Sequence, residues 1–286
     1  MQVSEYNTLI NTNIKRKILE GTIPIIVRIP MKTEEKYTLF NVNRNEYLPV
    51  LLKNALTEFL QETEQTMQSI TYSVDEIPVK WYLPIGVIFD SIHNGSLPME
   101  ISIGIAPQQR QLFPYENEES MKNYFIQQMK EGCFLKYGSI QELRKLEVDL
   151  IDPLYQGHAL TKLEEYDKLY SSITIGEEAW QHVPVHWYFG TQKHISDAIP
   201  TQIDDHLTTI HEAIEYIMKE RVLTENDPEA LRMLQNEDYA ETLKFIVQGI
   251  SVPPETPLLW MALNMSHSDG FVNICVRKES ELLIHI

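Results

Sequence analysis

The chain has 286 residues, 43% of them apolar, and a formal net charge of −17. That length suits two or three domains, and that apolar share suits packed cores and excludes a disordered chain. The acid excess repels phosphate backbones, so no nucleic-acid binding is expected, and no apolar run approaches the length of a membrane span.

The charge is uneven. Residues 1–60 carry a net +2 and the remaining 226 carry −19. Such an acidic body suits a basic protein partner, or serves solubility alone. The opening MQVSEYNTLINTN lacks the basic-then-apolar pattern of a signal peptide. Cys133 and Cys275 lie far apart and match no metal or redox spacing. Both features predict a cytoplasmic chain with reduced thiols.

In chain order, LINTNIKRKILEG predicts a short helix closed by Gly21. IPIIVRIP (23–30) and YTLFNV (37–42) predict two strands of a hairpin, joined through the polar MKTEEK. Tyr37 and Leu39 fall on one face of the second strand; Thr38, Phe40 and Val42 fall on the other. YLPVLLKNALTEFLQETEQ predicts one helix, with Leu48, Leu51, Leu52, Ala55 and Phe59 at helical spacing and Pro49 in its first turn. SITYSV, IPVKWY and MEISIGI read as strands, with a short helix in PIGVIFDSI (84–92) between the last two.

Residues 116–180 change to Glu/Lys/Leu/Tyr patterns, which predict three short helices broken near Gly132, Gly138 and Asp152-Pro153. Strand character returns at HVPVHWYFG (182–190). A helix in LTTIHEAIEYIMKE (207–220), a strand in TLKFIVQGI (242–250), a short helix in ETPLLWMALNMS opened by Pro257, and a strand in FVNICVR (271–277) complete the block. The acidic connection 220–241 reads as partly helical or mobile.

The first block therefore runs β-β-α-β-β-(short helix)-β, the ubiquitin-like order. The second block repeats its ending. Pro84 to MEISI and Pro257 to FVNIC span 15 and 14 residues, each through a proline-started helix and a glycine-containing turn. IPVKWY and VPVHWY look alike, but the first is fourth in its block's strand order and the second is first. The expected fold class is α+β, with two ubiquitin-like (β-grasp) domains flanking a helix-rich domain. The expected division is an N-terminal helix at 1–22, a first ubiquitin-like domain at 23–112, a helix-rich domain at 113–180 and a second ubiquitin-like domain at 181–280.

Active-site patterns are missing. The sequence holds no phosphate loop, dinucleotide loop, nucleophile elbow or zinc-protease helix. His182 and His186 can share a strand face, but no third ligand accompanies them, so they read as ordinary strand histidines. Asp204, Asp205, His206, Glu212 and Glu215 read as solvated turn and helix groups. Trp81, Trp187 and Trp260 read as core anchors. No catalytic residue, metal or cofactor is expected.

Several separate stretches resemble the autophagy protein 5 family. They are EGTIP (20–24), IPVKWYLPIGVIFD (77–90), Leu97-Pro98, YFIQQMKEGCFLKYGS (124–139) and GISVPPETPLLWMALNMSHSDGFVNICV (249–276). The resemblance spans residues 15–277, and the closing KESELLIHI matches nothing in it. Leu19 lies where the family usually carries a Trp, which implies a different anchor for the first helix. Gly132 stands where a small residue such as Ala is common.

The resemblance implies a scaffold joined by an isopeptide bond to the ubiquitin-like autophagy protein 12. It implies that the conjugate binds autophagy protein 16 and promotes transfer of autophagy protein 8 to phosphatidylethanolamine at the preautophagosomal structure and isolation membrane. Lys130 would be the acceptor, with Lys122 and Lys136 as alternatives if the helix phase differs. With Met121, Tyr124 and Phe125 inward, Lys130 lies about 180° from Met121, flanked by Ile126 and Phe134 as a docking surface for the conjugating enzyme. A helix ending at Gly132 would spoil that geometry. Only about one ordinary lysine in 2,500 is neutral at pH 7, so the activating and conjugating enzymes must supply a reactive thioester and hold the amine against it. A groove where the domains meet is expected to take a helix of autophagy protein 16. Lys15, Arg16 and Lys17 form a basic N-terminal patch, read as weak peripheral membrane contact or as a solvated helix face. A ubiquitin-like adaptor without covalent attachment is the alternative, and an enzyme a third.

Overall fold

Alternation builds the first sheet. In a computed structural model that describes residues 3–32, 34–92, 95–105, 115–144, 179–189, 193–225 and 243–278, strand β1 (Thr22–Pro30) turns Ile23, Ile25, Val27 and Ile29 inward. Its antiparallel partner β2 (Glu35–Asn43) turns Val42 inward and leaves Tyr37 and Leu39 in solvent, on the two opposite faces that the alternation assigns them. The expected single helix is two, α3 (Leu48–Leu51) and α4 (Lys53–Thr63), parted at Leu52. Pro49 does lie in the first turn. Then come β3 (Ile70–Val74), β4 (Ile77–Val79), α5 (Ile85–Ile92) and β5 (Met99–Ile105). The sheet order is β2-β1-β5-β3-β4, with β1 and β5 parallel.

Two helices precede this sheet, α1 (Val3–Leu9) and α2 (Thr12–Leu19). Ile18 and Leu19 are buried, and the Asn43 amide donates to the Leu19 carbonyl, so the first helix is anchored without a tryptophan. Lys15 corrects one expectation. It is only 8% exposed and lines a small cavity with Leu263 and Asn264, so the basic patch reduces to Arg16 and Lys17.

After the sheet, α6 (Glu118–Tyr137) and α7 (Gln141–Arg144) follow. Helix α6 passes through Gly132 without a break and ends at Gly138 in the left-handed conformation, φ 68. The break expected at Asp152-Pro153 lies outside the described residues.

The second sheet comprises β6 (His182–Phe189), β7 (Lys193–Pro200), β10 (Leu243–Val247), β11 (Ile250–Val252) and β12 (Val272–Lys278). A small ribbon, β8 (Gln202–Ile203) with β9 (His206–Leu207), precedes helix α8 (Ile210–Glu225), and α9 (Leu258–Met265) comes before β12. The order is β11-β10-β12-β6-β7, with β12 and β6 parallel. Counted from β7, this is the order of the first sheet. The proline register also holds: Tyr47 bridges to Pro84 in one half and Thr209 to Pro257 in the other. Strand β7 and the β8–β9 ribbon were not expected from the sequence. Helix α8 opens at Ile210, where the Glu212 carboxylate accepts from Thr209 N (2.9 Å) and Thr209 Oγ1 accepts from Glu212 N (3.3 Å).

One apolar core runs through both sheets and α6. It includes Leu48, Leu52, Phe59, Phe125, Met129, Trp187 and Phe245. Polar contacts then set the register between the halves. Buried Asp90 pairs with Arg44 inside the first half, while its Oδ2 accepts from Gly249 N at 2.9 Å in the second. The Arg277 guanidinium donates to Asp90 O at 2.7 Å.

Gly249 sits at φ +77, and a Cβ there would lie 2.8 Å from Arg44 Cζ. Gly95 also has positive φ, +92, with nothing within 4 Å. Gly249→Ala should therefore cost about 3 kcal/mol in urea unfolding and Gly95→Ala about 1–2. Equal losses would mean that the guanidinium yields freely.

Candidate functional site

Helix α6 holds the expected acceptor, and its sequence explains its position. Asn117 caps it by accepting from Ser120 N (3.1 Å), with Glu118 and Glu119 in the first turn. Met121, Phe125, Met129 and Cys133 form the buried stripe. Towards the first half, Phe125 meets Tyr47 edge-on at 6.5 Å, and Tyr124 lies 5.9 Å from Trp81. Towards the second half, Gln128 Oε1 bonds His186 Nε2 at 3.1 Å. Gly132 lets the helix approach the turn before β12, since a Cβ there would be 3.2 Å from Asp269 O and 3.3 Å from the Phe271 ring. The glycine read as a helix breaker is a contact point.

Lys130 is half-exposed on this helix, and no hydrogen bond or ion pair among the described residues engages it. Phe134, one turn on, is 56% exposed, and Ile126, one turn back, is half-buried. The other two lysines differ. Lys122 is as half-exposed as Lys130 but has an interaction with a neighbour. Lys136 is 3% exposed, with its ammonium 4.2 Å from the centre of the Trp180 ring. Burial pushes Lys136 down to about 8, against the opposing pull of Cys133 and Asp269.

The remaining candidate groups are structural. His186 stacks on Phe271 at 3.9 Å and also bonds Ser196 Oγ at 2.9 Å. Burial pushes it down to about 3, so it stays neutral at physiological pH. Asp269 accepts from Phe271 N (2.9 Å) and pairs with His267 at 3.2 Å. Burial raises its carboxyl, but His267 and His186 more than offset this and hold it below the usual range. Asp204 and Asp205 form the left-handed turn between β8 and β9, and His206 pairs with Glu212. Among the described residues no group of three or more His, Cys, Asp and Glu side chains could hold a metal ion.

A second feature lies elsewhere. An apolar groove of about 500 Å³ opens between the N-terminal helices and the second sheet, lined by Leu9, Ile14, Ile250, Val252, Trp260 and Met265. Trp81 and Trp187 are core anchors as expected, but Trp260 is a half-buried wall of this groove. Sequence reasoning missed these walls. They come from residues 9–14 and 250–265, and no short-range pattern in the sequence links those two segments.

Three family profiles match in succession. They are the UblA domain of autophagy protein ATG5 over residues 18–105, its alpha-helical bundle region over 118–175 and its UblB domain over 182–276. The chain belongs to the autophagy protein 5 family. Autophagy protein 5 of Debaryomyces hansenii is 26% identical over 198 residues, covering 61% of this chain and 67% of that protein. Autophagy-related protein 5 of Caenorhabditis elegans is 23% identical over 244 residues, covering 81% and 84%. The crystal structure of Kluyveromyces marxianus Atg5 shares the fold at a TM-score of 0.73 and 17% identity, covering 93% of this chain and all of that one. The autophagy protein 5 architecture of two ubiquitin-like domains around a helical region is thus present here.

The buried ammonium of Lys136 gives a pH prediction. Its folded value, about 8, lies below its ordinary 10.5, so between those values the unfolded chain holds a proton that the folded chain has released. Relative to Lys136→Met, the unaltered chain should gain stability as pH rises through that window and show no such trend below it. Urea unfolding from pH 7 to 10 measures this, and parallel curves for the two proteins would contradict it.

Proposed function

We propose that this chain is a non-catalytic scaffold of autophagy that accepts autophagy protein 12 at Lys130. The observation that carries this reading is the state of Lys130, half-exposed and unengaged among the described residues on a long helix, while Lys136 is buried and Lys122 has an interaction with a neighbour. The Lys130 amine, once deprotonated, attacks the thioester carbonyl at the C-terminal glycine of autophagy protein 12. The C–S bond breaks, the thiolate leaves with the conjugating enzyme, and the nitrogen gives up its extra proton as the isopeptide C–N bond forms. No base of this chain is assigned to that step. The activating and conjugating enzymes supply the thioester and the positioning.

The groove supports the rest of the reading. Its walls are largely apolar, and amphipathic helices dock their apolar face into grooves of this kind, so a helix of autophagy protein 16 is its proposed occupant. The acidic body would speed arrival of a basic partner at low salt. The assembled complex is proposed to promote lipidation of autophagy protein 8 with phosphatidylethanolamine at the preautophagosomal structure. Membrane contact would be weak and peripheral, since the basic patch is only Arg16 and Lys17. No described helix is long and apolar enough to cross a membrane. The groove does not depend on Lys130, and so also fits an adaptor that binds without conjugation.

Lys130→Arg separates chemistry from folding. Arginine keeps the charge but stays protonated and cannot attack a thioester. In reconstitution with the activating and conjugating enzymes, Lys130→Arg should abolish conjugate, while Lys122→Arg and Lys136→Arg retain the Lys130 attachment. Stability of the Lys130 variant should change by no more than about 0.5 kcal/mol. Undiminished conjugate would place the acceptor elsewhere.

Trp260→Ala tests the groove. It should weaken binding of the autophagy protein 16 helix at least about tenfold by calorimetry, and unchanged affinity would remove the groove from the account.

A further inference from the structure

The groove is built from both ends of the chain, and one side chain joins them. Asn264 lies in α9, 4% exposed. Its amide nitrogen donates to Trp260 O at 2.7 Å and to Leu9 O at 2.9 Å. Its amide oxygen accepts from Asn11 N at 2.5 Å. The Asn11 side chain in turn accepts from Ile14 N at 3.2 Å and caps α2. Leu9, Ile14 and Trp260, three of the groove walls, are thus tied to Asn264 directly or through one capping residue.

We propose that Asn264 is the positioning residue of the groove, setting the distance between the N-terminal wall and the Trp260 wall for a bound helix. The inference rests on the groove reading above. Two features favour a positioning role over a general role in folding. The flanks of the α1–α2 joint have their own anchors: the Trp180 amide donates to Tyr6 OH at 2.8 Å, and Ile18 and Leu19 are buried. Among the described residues, the hydrogen bonds between the joint, residues 9–11, and α9 all run through this one amide, beside the packing of Leu9 and Ile10 on the core. A carboxamide can also serve a carbonyl and an amide at once, through its NH2 and its oxygen. Alanine at 264 would leave Leu9 O and Asn11 N without these partners, and the joint would move towards water while the sheets stayed closed.

The test uses the full chain and a synthetic peptide of the N-terminal helical part of autophagy protein 16. Calorimetry gives affinity, and amide hydrogen exchange reports where the structure loosens. Asn264→Ala should bind about tenfold more weakly, the scale of losing one or two hydrogen bonds. Exchange at residues 9–14 should quicken while β10 and β12 keep their protection. Asn264→Asp keeps the acceptor for Asn11 N and should fall between. Peptide binding to the unaltered chain should slow exchange of the Asn11 amide. If the unaltered chain does not bind the peptide, the groove reading itself fails. If it binds and Asn264→Ala binds equally well, the positioning role is overturned. Loss of protection throughout β10 and β12 would assign Asn264 to the fold and also overturn it. If that variant does not fold, an Asn11 amide unaffected by peptide in the unaltered chain does the same.

Discussion

The structure depends on a buried ion pair that belongs to one half and is completed by the other. Arg44 and Asp90 have side chains only 10% and 5% exposed. Burial raises the Asp90 carboxyl, and Arg44 and the Gly249 amide pull it back. Such a pair adds little net stability compared with an apolar pair, but losing one partner costs about 3–5 kcal/mol. It acts as a register device. Asp90 is fully served only when the Gly249 turn and Arg277 arrive in one orientation. The two halves are therefore not interchangeable units on a string. Their packing is specified by polar groups that tolerate one arrangement.

Both functional features follow from that docking. Helix α6 is gripped by Tyr47 and Trp81 on one side and by His186 and Phe271 on the other. A helix held on two sides offers its remaining face at fixed height, which is what a reacting amine needs when the partner enzyme supplies the electrophile. The groove also joins the two halves, since one wall precedes β1 and the other belongs to the second sheet and α9.

Much of this was legible in the sequence. Alternation gave β1 and β2, and the Pro84 and Pro257 registers correspond to matching bridges at Tyr47 and Thr209. The phase of α6, read from Met121 and Phe125, places Lys130 outward as found. The misses have physical causes. Strand β7 is an edge strand in which, among the side chains described, Ile195 and Ile199 are buried, too few to show a period. Gly132 resembles a helix breaker until the backbone it lies against is known. Trp260 and Lys15 carry no local sign of their surroundings. One was expected in the core and lines a groove; the other was expected in solvent and is buried. Contacts between residues some 250 positions apart leave no short-range pattern, and the Asn264 tie to Leu9 is of that kind.

The most direct measurement is mass spectrometry of the chain isolated from its own cells after proteolysis. The account predicts a branched peptide carrying the C-terminal remnant of autophagy protein 12 on Lys130. A branch on Lys122, Lys136 or another lysine, with Lys130 found only in linear peptides, would contradict it.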